Sequence, residues 1–242
     1  LNYRIITNLQ CNKKCSFCYQ KYKPIPDIIL KKEKLITFLK NNMNKYGKLT
    51  KANIMGGESL LLSDICDYVE IIKFFAENIC LITNGSLLDE DKLIKLKKSG
   101  LTDIAISISS VENYQEMRPI ILSTKKHFQN RMRINLPSCG ITNYKILENL
   151  VKDILYNDIY CLICEDINDG YSNNIDNIII NKWQECYKIE SSDNYFKYVF
   201  NNKEFGLANH HENYDDEDLI ISPLGEFSKW SEYFKLVKDK IK

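Results

Sequence analysis

The feature that most limits what this chain can fold into is its rhythm. Over the first 165 or so residues, short apolar β-rich runs alternate with amphipathic stretches. Residues 3–7, 52–55, 79–83, 103–109, 131–136 and 159–164 read as six strands. Between them the spacing of apolar residues predicts helices. Ile28, Leu35, Phe38, Leu39 and Met43 mark one over 27–46, and Ser63 stands as N-cap of a second carrying Ile65, Val69, Ile72 and Phe75. A charged helix over 89–99 is stopped by Gly100, and one over 112–129 is interrupted by Pro119. Asn143 caps a helix with Ile146, Leu147, Leu150, Val151 and Ile154 on one face. Such alternation implies a parallel sheet with helical crossovers. Six units are too few to close the eight-unit barrel. The expected fold is therefore α/β, a partial (β/α)6 TIM-like open barrel over residues 1–168. A short C-terminal extension, 169–242, follows, with a helix over 181–190, a hairpin over 219–227 and a closing helix over 229–241. In such sheets the chemistry gathers at the C-terminal ends of the strands.

Charge and hydropathy narrow the function classes. The composition, 44% hydrophobic and 27% charged, is that of a globular protein. No apolar run approaches the roughly 18–20 residues needed to span a bilayer, so no membrane role is expected. The first residues lack the apolar core of a signal peptide, which points to a cytoplasmic protein. A net charge of +1 makes no case for nucleic acid. The charge is uneven, however: residues 1–51 carry twelve Lys/Arg against Asp27 and Glu33. That segment is either a solvated lysine-rich face or a docking face for an acidic partner.

Nine cysteines, an odd number, argue against a disulfide framework in a reducing compartment. Cys11, Cys15 and Cys18 fall within eight residues, a C-x3-C-x2-C loop directly after the first strand. Soft thiolates select zinc or iron–sulfur clusters. Structural zinc needs a fourth ligand, whereas a cubane held by three cysteines leaves one iron free. The spacing alone leaves both open.

The loop, with Tyr19 after its last cysteine, resembles that of the radical S-adenosylmethionine (radical SAM) superfamily. Further matches follow in order: Met55, Gly56, Gly57 and Glu58 after strand two; Thr83, Asn84 and Gly85 after strand three; residues 106–110 on strand four, with Arg118 downstream; Asn135 and Asn143 around strand five. The resemblance covers residues 3–165 and is nearest to the molybdenum-cofactor-cyclase and SPASM-type branches. It implies that Cys11, Cys15 and Cys18 ligate a 4Fe-4S cluster whose free iron chelates SAM. It further implies that Tyr19 packs by the adenine, that Gly56 and Gly57 admit the methionyl end, and that Glu58 accepts from the SAM ammonium. Asn84, Ser107, Arg118 and Asn135 complete the cofactor-binding set. Two departures stand out. Ser109 occupies a position where aspartate is common, and residues 221–230 resemble the hairpin that opens an auxiliary-cluster extension but hold no cysteine. One cluster is therefore expected.

The remaining cysteines divide. Cys66 and Cys80 read as core. Cys161 and Cys164 point to opposite faces of a strand, and Cys186 stands alone. Cys139, just past strand five, is a candidate hydrogen-atom donor to a substrate radical. His210 and His211 read as a solvated loop. The expected activity is reductive cleavage of SAM to a 5′-deoxyadenosyl radical, which abstracts hydrogen from a peptide or small metabolite. A flavodoxin or ferredoxin would supply the electron. The alternatives are an activase of a glycyl-radical enzyme and, in another class, a non-catalytic zinc or iron–sulfur module that binds a partner.

Overall fold

The computed structural model describes residues 2–15, 18, 27–137, 143–166, 175–191, 195–210 and 218–241. In chain order the elements are β1 (Asn2–Ile6), α1 (Lys32–Tyr46), β2 (Leu49–Met55), α2 (Ile65–Ile72), β3 (Ala76–Thr83), α3 (Glu90–Ser99) and β4 (Asp103–Ser107). There follow α4 (Val111–Phe128), β5 (Met132–Pro137), α5 (Tyr144–Tyr156), β6 (Tyr160–Asp166), α6 (Ile175–Lys182), β7 (Cys186–Ser191), β8 (Tyr195–Phe200), β9 (Lys203–His210), β10 (Asp218–Ser222), β11 (Gly225–Phe227) and α7 (Trp230–Ile241). The chain divides into two compact units, residues 1–105 with 213–242, and residues 106–212.

In the first unit the strand order is β11-β10-β1-β2-β3. β10, β1, β2 and β3 are parallel, and β11 turns back antiparallel on β10. Parallel strands covered on both faces read as continuous apolar runs, and Tyr3, Ile5, Ile6, Ile54 and Leu81 are all fully buried. The hairpin expected over 219–227 is present. Its turn is tied by Ser222, whose side chain accepts from the backbone N–H of Leu224 and Gly225. Its strand β10 lies beside β1, so the C-terminal segment belongs to the sheet that carries the cysteine loop.

In the second unit the order is β5-β6-β9-β8-β7. β5, β6 and β9 are parallel, while β9, β8 and β7 form an antiparallel meander. β11 in one unit and β7 in the other are edge strands, so the sheet is open, as the six-unit count implied.

Several local expectations are corrected. α1 starts at Lys32, leaving Ile28 in the preceding loop; Asp64 rather than Ser63 stands at the N-cap of α2. α4 runs unbroken through Pro119. Proline removes one backbone donor, but Tyr114, Met117, Ile121, Thr124 and Phe128 form a buried stripe on both sides of it. Ser110 caps the helix by accepting from Asn113 N. The helix expected over 181–190 is instead the end of α6 followed by β7, whose residues are drawn into the ladder with β8. Gly100 closes α3 at φ 111° and Asn143 caps α5, both as expected.

Candidate active site

β1 continues through Thr7, Asn8, Leu9 and Gln10 into Cys11. The end of β2 lies against that segment. Thr7 N donates to Met55 O at 2.8 Å, Gly57 N to Asn8 O at 3.0 Å, and Glu58 N to Gln10 O at 2.7 Å. The Asn8 side-chain amide donates to Glu58 O at 2.9 Å. The approach is too close for side chains. A Cβ on Gly56 would stand 2.7 Å from Asn8 O, and one on Gly57 only 2.1 Å from Gln10 O. The two glycines thus let one strand end lock the entrance of the cysteine loop.

Glu58 reaches sideways to β3. Its Oε1 accepts from Thr83 Oγ1 at 2.7 Å and Leu60 N at 3.0 Å, and its Oε2 from Asn84 N at 2.8 Å. The residue is 1% exposed. Burial pushes its carboxyl above the usual 4.5, outweighing these donors and the nearby Lys13. Among the described residues no hydrogen-bonding cation neutralises it, and the three hydrogen-bond donors it meets there are neutral.

Asn84 joins this carboxylate to the cysteine loop. Its Nδ2 donates to Asn12 Oδ1 at 2.9 Å and lies 3.9 Å from Cys11 Sγ, while its Oδ1 accepts from Ser86 N and Ser86 Oγ. Lys13 N also points at Cys11 Sγ, at 3.4 Å. Cys11, Cys15 and Cys18 are half-buried and in no disulfide. Burial pushes the Cys15 thiol up and Cys11 adds to this, while Lys13 opposes it. Among the described residues, no three His, Cys, Asp or Glu side chains gather around a single ion position. A cubane gives each thiolate a separate iron, so three sulfurs need not converge on one point. N–H donors aimed at a ligating sulfur are what an iron–sulfur site requires. The donor set fits a cluster.

The sequence reading gave no role to Thr7, Asn8, Asn12 and Lys13, and it quoted Thr83 only as part of the motif that ends strand three. Thr7, Asn8 and Thr83 are buried polar residues, a signal at the C-terminal ends of apolar strands; their partners, 25 to 52 positions away in the chain, were invisible.

Ser107, Arg118 and Asn135 lie in the second unit. Ser107 ends β4 and is half-buried; Ile108 N donates to Asn135 O at 3.0 Å, and Asn135 Oδ1 accepts from Arg133 Nε at 3.1 Å. Ser109 Oγ bonds Asn113 Oδ1 at 3.0 Å, within its own helix cap. Arg118 is turned to α5, 3.4 Å from Asp153, which also accepts from Tyr114 OH. Reaching a ligand would require it to leave that pair. Cys80 and Cys161 are buried, and Cys164 and Cys66 half-buried. The Cys186 thiol is pushed up to about 12 by burial and, secondarily, by Glu148. Tyr19, Cys139 and His211 lie outside the described residues, as does the side chain of His210. Among the described residues, no helix is long and apolar enough to cross a membrane.

Known proteins resemble this chain. The radical SAM superfamily profile matches residues 5–136. The chain is 32% identical over 120 residues to the GTP 3′,8-cyclase of Campylobacter jejuni (strain RM1221), covering 47% of this chain and 36% of that protein. It is 34% identical over 107 residues to a probable GTP 3′,8-cyclase of Methanocaldococcus jannaschii, 44% and 35% of the two chains. The match thus spans about a third of these relatives' length. Among solved structures, Streptococcus suis SuiB bound to S-adenosylmethionine superposes with a TM-score of 0.63 at 13% identity, covering 100% of this chain and 65% of that one. The profile covers more than half of the chain, including the cysteine loop, the Gly-Gly-Glu turn and Asn84, and the chain belongs to the radical SAM superfamily, enzymes that use a 4Fe-4S cluster and S-adenosylmethionine.

Proposed function

We propose that this protein initiates radical chemistry on a peptide or a small metabolite. Bound SAM, reductively cleaved at the cluster, supplies a 5′-deoxyadenosyl radical that takes a hydrogen atom from the substrate. In this reading Cys11, Cys15 and Cys18 hold the cluster. Gly56 and Gly57 keep β2 pressed on the segment that feeds Cys11, so the loop is fixed before SAM arrives. Asn84 orients the loop and donates toward Cys11. Glu58 presents its remaining lone pairs to the ammonium of SAM. Ser107 and Asn135, at the ends of β4 and β5, are offered to ribose or carboxylate. Tyr19 keeps the role that the family resemblance gives it, and Cys139 is kept as the candidate hydrogen-atom donor.

One observation carries the reading: a buried carboxylate that meets no hydrogen-bonded cation among the described residues, at the strand ends and joined through Asn84 to a sulfur of the cysteine loop. A structural zinc knuckle has no use for it. Matched relatives named for action on GTP and a matched structure of a peptide-binding enzyme, SuiB with its precursor peptide, define the substrates to try first.

The test is anaerobic reconstitution followed by incubation with SAM and dithionite, or a reduced flavodoxin. About four irons per chain and release of 5′-deoxyadenosine are expected. GTP and short peptides are then assayed for incorporation of deuterium into 5′-deoxyadenosine. Zinc without iron, or a cluster that never cleaves SAM, would overturn the proposal.

A further inference from the structure

The turn after β3 carries a closed ring of side-chain hydrogen bonds beside Cys11. Gly85 stands at φ 73°, in the left-handed region that favours glycine. The chain folds back there, so that Ser86 N and Ser86 Oγ both donate to Asn84 Oδ1, at 3.0 and 2.6 Å. A backbone N–H can only donate, so this contact identifies the oxygen of the Asn84 amide and fixes which way the amide points. On its other side Asn84 Nδ2 donates to Asn12 Oδ1 at 2.9 Å, and Asn12 Nδ2 donates to Ser86 Oγ at 2.9 Å. The ring is complete: each of the three side chains gives one hydrogen to the next and accepts one from the last. One N–H of Asn84 is left over. Cys11 Sγ lies 3.9 Å from that nitrogen, within hydrogen-bond reach of a sulfur. The main chain of Asn84 is held too, its N–H donating to Glu58 Oε2 at 2.8 Å.

An amide N–H bonds a neutral thiol weakly, and an ionised sulfur is the stronger acceptor. Reduction of a cluster adds negative charge that spreads onto its sulfurs, so a donor there stabilises the reduced form and raises the potential. Asn84 alone could turn its amide away from the sulfur; the ring prevents this. Asn12 holds the nitrogen side and Ser86 the oxygen side. We infer that the ring of Asn12, Asn84 and Ser86 raises the reduction potential of the cluster by aiming Asn84 Nδ2 at the sulfur of Cys11. Asn84 is the donor, and Ser86, which acts only through the other two side chains, is a positioning residue.

This rests on Cys11 being a cluster ligand, and the experiment separates the two claims. Wild-type protein, Asn84→Ala, Ser86→Ala and Ser86→Thr are reconstituted anaerobically without SAM. Each is reduced with dithionite, and the reduced cluster is followed by EPR at fixed potentials. Asn84→Ala keeps the backbone N–H that Glu58 accepts and removes the donor to sulfur. It should retain full iron and lower the reduced-to-oxidised ratio about threefold to tenfold, where tenfold corresponds to 59 mV for one electron. Ser86→Ala leaves Asn84 in place and opens the ring, and it should shift the ratio the same way by about twofold to threefold. Ser86→Thr restores the hydroxyl and should return the wild-type ratio. An unshifted Asn84→Ala, an unshifted Ser86→Ala, or a Ser86→Thr shifted as far as Ser86→Ala overturns the inference while leaving the cluster intact. No reducible cluster in wild-type protein overturns the ligand assignment itself. If Asn84→Ala loses its iron, the two variants of Ser86, an exposed residue outside the cysteine loop, decide the matter by the same criteria.

Discussion

Glu58 and Glu148 are almost equally buried, at 1% and 2% exposure, and the protein treats them in opposite ways. Glu148 lies on α5 in the second unit. Burial pushes its carboxyl up, but hydrogen bonds from Lys145 and Lys152 at 2.8 and 2.7 Å outweigh this, and its pKa falls below the usual 4.5. Glu58 stands at the end of β2 in the first unit and receives three neutral donors, and its pKa rises. One charge has its counter-ions built in. The other is oriented and desolvated but not neutralised by a hydrogen-bonded cation. Burial alone therefore does not decide whether a carboxylate is left without a counter-ion. The nature of its donors does.

The change expected to separate the regions most is in the backbone beside Glu58. Gly57→Ala places a Cβ 2.1 Å from Gln10 O, where main chain rather than a yielding side chain must move. A loss of about 1–3 kcal/mol or more in urea-induced unfolding is expected, together with failure to retain iron, because the displaced segment leads directly into Cys11. If Gly57→Ala took up a full cluster with an unchanged unfolding midpoint, the lock between β1 and β2 would have no functional meaning.

Glu58→Gln is milder and more informative, since it keeps the shape and removes the charge. A charge-assisted hydrogen bond is worth about 1.5–3 kcal/mol, so SAM should bind about ten- to hundredfold more weakly, with iron content unaltered. Glu148→Gln should leave SAM affinity within about twofold and cost at most about 1 kcal/mol of stability, because its lysines are largely solvent-screened. Calorimetric titration of both variants checks the pair. Equal effects on SAM binding would erase the distinction between the two carboxylates.

How much of this was legible in the sequence follows from where the information sits. The rhythm of apolar runs is local, and it placed six strands, most helices and the open sheet. The Gly-Gly-Glu turn is local too, and so is the cysteine spacing. Glu58 itself was read at once, but not that Thr83 Oγ1 and Asn84 N hold it, because those contacts join residues 25 and 26 positions apart. Pro119 misled because a proline's lost hydrogen bond is visible in sequence, whereas the buried stripe that outweighs it is settled by packing. Nothing local announces that β10, in the C-terminal extension, will lie beside β1. Local chemistry was legible, and long-range pairing was not.

The smallest expected effect concerns pH, and its sign distinguishes the two carboxylates. Glu148, with its pKa lowered on folding, contributes stability that is present above 4.5 and lost as pH falls through the folded value. Glu58, with its pKa raised, costs stability above the folded value, and that cost disappears as pH falls from there toward 4.5. Urea midpoints between about pH 3 and pH 7 should therefore show Glu148→Gln converging on wild type at the acid end. Glu58→Gln should gain on wild type as pH rises, with a slope of at most about 1.4 kcal/mol per pH unit. Bound SAM sharpens the contrast. Its ammonium would draw the Glu58 pKa down, so saturating SAM should flatten or reverse the Glu58 difference and leave that of Glu148 untouched. A Glu58 difference insensitive to SAM would mean that this carboxylate braces β2 against β3 and meets no ligand charge.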